Sequence, residues 1–571
     1  MRGPGDRASK RYFRKEPTSS SVTEGHGDAA IEAEPAAKLP RGRESSARAH
    51  TPQAREPGDL GGASSQPLGD TQLREGEIHK PQSQTSEKSD AFIVAKKPGN
   101  SRVTPEDSVE RRDAADGEIR SAKHAPDSVP AGRADAPERI GQRARENRGE
   151  KFTNLLSHLK VPLLKEAYQR LRKDAAPGVD GETWEAYGEG LDARLHDLQD
   201  RVHRGSYHPQ PVRRVYIPKA DGSRRSLGIP SLEDKIVQQA ARMLMEPLYE
   251  QGAFLGFSYG FRPGRSPHGA LDALAVAIES KKVSWVLDAD IRAFFDTIDH
   301  TWMRKMVEHR IGDRRLVRLL MKWLHAGVME EGKLHEVKEG TPQGGIISPL
   351  LANIFLHYVL DLWVQPWRKT RARGDVYVVR YADDFVMGFQ YEEDARAMHE
   401  ALASRLASFG LELHPEKTRV IQFGRFAEGD RKRAGLARPE TFDFLGFTHI
   451  CGRSRAGGFQ LQRRTSRKKR RAKLAALREE IPRRRHDPVV EQHRWLSSVI
   501  RGHARYYGVP TNSRALWTFR RSIEQAWHRA LQRRSQRAQW TVETTKLFEK
   551  RFALPAPRVC HPWPSRRFVG P

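Results

Sequence analysis

Cysteine is almost absent from the 571 residues: Cys451 and Cys560 are the only two. That excludes a disulfide scaffold and any cysteine-rich zinc site, and it suits a reducing cytoplasm. Long apolar runs are also lacking, none approaching the ~18 residues that a membrane-spanning helix needs, so no membrane partner is expected. The opening stretch, MRGPGDRASKRYFRKEP, has charges with no apolar run behind them, unlike a secretory signal. Aromatics are scarce in residues 1–150, which hold Tyr12, Phe13 and Phe92 and no Trp. A segment so poor in apolar surface cannot offset the entropy of ordering, and the whole of 1–150 is expected to be a disordered extension.

Basic charge, in contrast, is plentiful. The chain carries 100 Lys and Arg against 72 Asp and Glu, a net of +28. The excess is uneven: 26 against 25 in residues 1–150, 44 against 40 in 151–450, and 30 against 7 in 451–571. A near-neutral body with so basic an end points to a polyanion, and phosphate neutralisation by nucleic acid explains the excess directly. Order is expected from Lys151. Leu155, Leu156 and Leu159 have helical spacing, VPLLKEAYQRLRK continues as a second helix, and Trp184–Val202 reads as a third, closed by Gly205. Val212–Pro218 alternates as a strand, and ADGSRR turns it back into a hairpin with basic residues near its tip.

Chemistry concentrates in two segments. In VSWVLDADIRAFFDTIDH an apolar strand leads into Asp288 and Asp290, with a helix expected from Phe294. In DVYVVRYADDFVMGFQ two β-rich runs, Val376–Val379 and Phe385–Phe389, flank Tyr381-Ala382-Asp383-Asp384, which places two carboxylates at a hairpin tip. An isolated Asp-Asp pair is usually turn chemistry. Adjacent acids repel unless cations sit between them, and carboxylates suit Mg²⁺, which binds through one or two of them plus substrate phosphates.

The wider pattern resembles the reverse transcriptase/maturase proteins of bacterial group II introns. YADD is similar to their polymerase palm motif, and DADIRAFFDTIDH to their first catalytic-aspartate motif. The other blocks stand in the family's order: RRVYIPKADGSRRSLGIPSLEDKIVQQA, FLGFSYGFRPGRSPHGAL, EGTPQGGIISPLLANIFLHYVLD, GLELHPEKTRVIQFG and FDFLGF. The resemblance implies an α/β right-hand polymerase fold with fingers and palm at 151–450 and a basic helical thumb at 451–490. A helical RNA-binding maturase (X) domain and tail would follow at 491–571. It implies two Mg²⁺ ions on Asp290, Asp383 and Asp384, helped by the Ile291 carbonyl. Lys219 and Arg225 would grip the dNTP, Gln343 would lie near the nascent base pair, and either Phe294 or Phe295 would exclude ribonucleotides. Lys417 is expected to be a primer-strand or structural contact, and His300 and His414 loop or packing residues. One departure is Ser226, where the family usually has Pro after the fingers Arg.

In the basic end, helix 463–485 carries Leu474 and Leu477 on one face. WLSSVIRGHARYYGVPTNSRALWTFRR is similar to the family's maturase domain, and Arg470, Arg471, Arg501, Arg505 and Tyr506 are the candidate RNA contacts. Trp495 and Tyr507 read as packing. The short stretch after Leu554, with one Cys and one His, implies a variant without the His-Asn-His endonuclease. The resemblance then implies an RNA-directed DNA polymerase with an RNA template, a DNA primer, dNTPs, its intron RNA and a DNA target site as partners. It would assist splicing and copy the intron during retrohoming, in the bacterial cytoplasm and at the nucleoid. A splicing factor on an inactive polymerase scaffold, and a retron or defence-type enzyme, are the alternatives.

Overall fold

The computed structural model describes residues 136–218, 224–330, 333–335, 340–341, 344–535 and 540–564. The described residues include 136–150, upstream of the order expected from Lys151, so the expectation of disorder through residue 150 is corrected for 136–150. A helix spans Ala136–Glu146 and packs on the helix Leu232–Gly252. Ile140, Gly141 and Ala144 are its buried residues, and a Cβ on Gly141 would stand 3.2 Å from Pro247 Cβ. So short an apolar edge, closed through a glycine, leaves little periodic signal. The leucines near 155–159 form a single 3₁₀ turn, Leu156–His158. Trp184–Gly188 and Leu191–Arg204 are two helices, because Gly190 breaks them with φ +70.

Eleven strands are present among the described residues. In chain order they are β1 (Val212–Pro218), β2 (Arg224–Ile229), β3 (Trp285–Asp290), β4 (Val328–Glu330), β5 (Lys333–His335) and β6 (Val376–Tyr381). β7 (Asp384–Phe389), β8 (Arg419–Gln422), β9 (Phe442–Phe444), β10 (Phe447–Arg453) and β11 (Phe459–Thr465) follow. They make three sheets: β2-β1-β4-β5, β6-β7-β3-β8 and β11-β10-β9. β1 and β2 form the expected hairpin, Arg213 opposite Ile229. Phe294–Asp296 is a 3₁₀ turn, and the helix expected from Phe294 starts at His300 instead, where the Asp299 carboxylate caps the Trp302 amide. Residues 447–465 are a β hairpin, so the basic helix begins later than 463, spanning Arg467–Arg483.

The second sheet is buried on both faces. Leu287, Ala289, Phe385, Met387 and Phe389 point into the larger core, built on Leu232–Gly252, Ser348–Leu356 and Glu392–Ala407. Val286, Val379, Val386 and Ile421 point the other way, under the helix Pro267–Ser280 and against Phe442, Phe444 and Phe447. A third core joins Arg467–Arg483 to the helices Val489–Tyr507 and Ser513–Gln532 through Leu477, Ile500, Phe519 and Trp527.

Candidate active site

Strand register brings the acidic residues together. β3 and β7 run antiparallel with Asp290 opposite Asp384. β6 and β7 pair with Tyr381 opposite Asp384, so the turn between them is Ala382-Asp383 alone. So short a turn needs a left-handed residue, and Ala382 supplies it with φ +57. Side chains alternate along a strand. Asp288, Asp290 and Asp384 therefore continue the face of Val286 and Val386, and three carboxylates share one side of the sheet.

Their mutual repulsion is visible. Burial, then Asp288, Asp383 and Asp290, push the Asp384 carboxyl well above the ordinary carboxylate range, with Lys417 acting against the shift. Asp288 is pushed up to about 7, chiefly by burial, with Asp443 and Asp290 adding to the rise and Arg419 opposing it. One cation is in place: Lys417 Nζ donates to Asp290 Oδ2 at 2.6 Å. Its segment is tied to the end of β3, since the Arg292 amide donates to Glu412 O at 2.9 Å and the His414 amide to Asp290 O at 2.8 Å.

These residues fit Mg²⁺. The donors are all carboxylate oxygens, and the Lys417 ammonium stands in for a cation on one of them. As the side chains stand, no three His, Cys, Asp or Glu among the described residues converge into a closed metal cage. Mg²⁺ does not require one, because it keeps waters and takes the rest of its shell from substrate phosphates.

The other candidates divide. Ile291 is buried and its backbone bridges to Leu413. Phe294 is a core residue, 2% exposed and edge-on to Phe355, while Phe295 is half-buried beside it. Lys219 and Gln343 lie outside the described residues. Arg225 sits in β2 opposite Ile217, and its side chain lies outside the described residues too. His300 packs as expected, its Nε2 donating to Gly340 O at 2.6 Å. Arg471, Arg501 and Arg505 are exposed and Arg470 is half-buried. Tyr506 is engaged within the protein: its hydroxyl donates to Leu445 O at 2.7 Å and its ring stacks on Phe447.

Sequence reasoning passed over what lies behind the turn. The Arg380 guanidinium, fully buried, donates to both Asp361 oxygens, to Asn353 Oδ1 and to Ala382 O. It also passed over Trp517, 49% exposed between Arg514 and Arg521 on one helix face. The signal for Trp517 was available, since basic residues spaced i, i+7 around an aromatic define a face.

Comparison with known proteins agrees with this geometry. Residues 217–449 match the family described as reverse transcriptase (RNA-dependent DNA polymerase). Protein YkfC of Escherichia coli (strain K12) is 36% identical over 314 residues, covering 49% of this chain and 77% of that protein. The group II intron-encoded protein LtrA of Lactococcus lactis subsp. cremoris is 33% identical over 306 residues, 51% of this chain. The match spans half of LtrA's own length, 50%. An uncharacterized 91 kDa protein in the cob intron of Schizosaccharomyces pombe is 37% identical over 203 residues, covering 35% of this chain and 24% of that one. With the paired aspartates at a two-residue hairpin turn and the strand carrying Asp290 beside it, the chain belongs to the reverse transcriptases of group II intron type, and its matched region is an RNA-directed DNA polymerase domain.

Proposed function

We propose that the whole chain copies RNA into DNA from a DNA primer and also binds its intron RNA, assisting splicing and then copying it into a DNA target. The observation that carries the polymerase reading is the register that sets Asp290 opposite Asp384 with Asp383 on the adjoining turn. In this reading the second sheet is the palm, β1–β2 belongs to the fingers, Arg467–Arg483 is the thumb, and the last helices form the maturase domain.

Asp290 and Asp383 would hold Mg²⁺, with Asp384 and the Ile291 carbonyl alongside. When bound, a pair of such ions supplies charge stabilisation to the attacking 3′-oxygen and to the leaving pyrophosphate. The chain's own residues do the rest. Lys219 and Arg225 offer cationic donors to the dNTP phosphates. Gln343, by the family resemblance, would serve near the nascent pair. Phe295, half-buried and five residues after Asp290 in the chain, is the candidate that excludes a 2′-hydroxyl, because Phe294 is committed to the core. Lys417 holds the Asp290 carboxylate by an ion pair, and would compete with an ion for that oxygen.

For RNA, the helix Val489–Tyr507 exposes Arg494, Ser498, Arg501 and Arg505 on one side and buries Leu496, Ile500 and Ala504 on the other. With Arg471, and with Arg514 and Arg521 flanking Trp517, this gives guanidinium and ring planes on which unpaired bases stack.

Primer extension tests the reading: purified protein, RNA template with annealed DNA primer, dNTPs and Mg²⁺, beside Asp383→Ala. A DNA product that vanishes in the variant is expected. Folded protein that yields no product, yet promotes splicing of the surrounding intron RNA, would replace the polymerase with a splicing factor on an idle scaffold.

A further inference from the structure

The turn that carries Asp383 is held from behind by groups that touch neither metal nor substrate. Arg380 is the penultimate residue of β6, and its side chain is wholly buried. Nε and Nη2 donate to the two oxygens of Asp361 at 2.7 and 2.6 Å, and Nη1 donates to Asn353 Oδ1 and to Ala382 O, both at 3.0 Å. Asp361 is itself buried and closes a π-turn, His357–Asp361, set between the helices Ser348–Leu356 and Leu362–Thr370. Such turns are rare and recur at functional sites. Here the extra residue delivers a carboxylate to the guanidinium.

A second strip of backbone completes the clamp. The Arg380 amide donates to Phe257 O at 2.9 Å and the Tyr259 amide donates to Arg380 O at 2.8 Å. Asn353 Nδ2 donates to Gly260 O at 2.7 Å. Gly260 lies so close to the turn that a Cβ there would stand 2.3 Å from the Ala382 amide nitrogen. Ala382, the left-handed residue, is thus gripped by its carbonyl from Arg380 and pressed at its nitrogen by Gly260.

We propose that Arg380, with Asp361, Asn353 and Gly260, is a positioning device that fixes the Ala382-Asp383 turn so that the Asp383 carboxylate meets Asp290 at metal-binding geometry. This rests on the polymerase reading only for what the metal is used for. The planar fork explains the choice of residue: Arg binds a carboxylate through two parallel N–H groups and still has Nη1 free for the turn, which an ammonium cannot do. Supporting groups that orient metal ligands typically govern metal affinity by about tenfold to a hundredfold.

The test uses the full chain and reads metal binding directly. Mn²⁺ is titrated by electron paramagnetic resonance without nucleic acid, for wild type, Asp383→Ala, Arg380→Lys, Asn353→Ser and Gly260→Ala, with thermal unfolding of each. Gly260→Ala and Asn353→Ser leave the buried Arg–Asp pair in place, which covers the case in which Arg380→Lys does not fold. Folded variants are expected to bind Mn²⁺ at least about tenfold more weakly than wild type. Their primer extension should need correspondingly more Mg²⁺, with the KM for dNTP unchanged at saturating metal. Wild-type Mn²⁺ affinity in variants that unfold at the wild-type temperature would overturn the proposal. So would a loss of binding that merely tracks the unfolded fraction. Wild-type protein that binds Mn²⁺ through Asp383 but extends no primer would sink the polymerase reading and leave this one standing.

Discussion

Replacing Lys417 with Met should tighten metal binding, and the size of the effect follows from the ion pair. The ammonium donates to Asp290 Oδ2 at 2.6 Å, with its side chain 60% exposed and that of Asp290 27% exposed. A pair this open to water contributes only ~0.2–1 kcal/mol, and metal binding must give it up. A dication taking the same oxygen also lies within about 5 Å of the ammonium, and their repulsion in a water-like dielectric is ~1.5 kcal/mol. Together the two terms, ~1.7–2.5 kcal/mol, predict roughly a twenty- to seventyfold gain in affinity for Lys417→Met. Folding stability should change by less than ~1 kcal/mol, because the pair is exposed. Mn²⁺ titration by paramagnetic resonance at low ionic strength measures the gain, and raising the salt above 0.5 M (roughly a 4 Å screening length) should shrink it. An unchanged or weaker affinity in the variant would refute the reasoning, for it would make Lys417 a support of the metal site instead of its competitor.

Three further outcomes are expected. Phe295→Ala should admit ribonucleotides in primer extension with little change in stability, whereas Phe294→Ala should cost ~3–5 kcal/mol in denaturant unfolding, since its ring is core. Changing Arg494, Arg501 and Arg505 together to Ala should weaken intron RNA binding and reduce the slope of log affinity against log salt by about 2 if three phosphate contacts are lost, measured by filter binding. His449 is fully buried against Phe442, and burial, with Arg463 opposite it in the sheet, lowers its pKa to about 3. A depressed histidine binds fewer protons folded than unfolded, so stability is lost as pH falls from 6.5 (roughly the unfolded value) toward 3, by ~3 kcal/mol at pH 4. His449→Phe should flatten that part of the urea-unfolding profile, and an equally steep profile in the variant would assign the loss elsewhere.

Strand periodicity made the centre of the site legible. Val376–Val379 and Phe385–Phe389 read as strands and lie within β6 and β7, and Val283–Leu287 is strand from Trp285 onward, because residues buried on both faces leave continuous apolar runs. The Tyr381–Asp384 turn followed from the two runs around it. The pairing of Asp290 with Asp384 was not legible, since register between segments nearly a hundred residues apart is set by tertiary packing (about which local pattern says nothing). Nor was Ala136–Glu146 legible as an ordered helix, with one edge of contact and a glycine at its centre.

The clamp behind the turn was illegible for a different reason, and that reason bears on what holds such a site. Arg380 and Asp361 are charged residues in otherwise apolar surroundings, the kind that pattern reading assigns to a surface. Only the fold shows each satisfying the other: burial alone would raise the Asp361 carboxyl, yet Arg380 and His357 hold it below its ordinary value. A buried pair of this kind is a poor source of net stability compared with a well-packed apolar one. Its worth here lies in direction. Among the described residues four non-glycines have positive φ, and Phe261, Ala293, Ala382 and Leu445 all fall in the motif blocks around the acidic face. Each such residue costs of order 1–3 kcal/mol and persists only where its neighbours over-determine it. At Ala382 those neighbours are named: a guanidinium on the carbonyl and a glycine against the nitrogen. The site therefore spends packing and charge on fixing one turn, which is what a reaction that tolerates little error in carboxylate position requires.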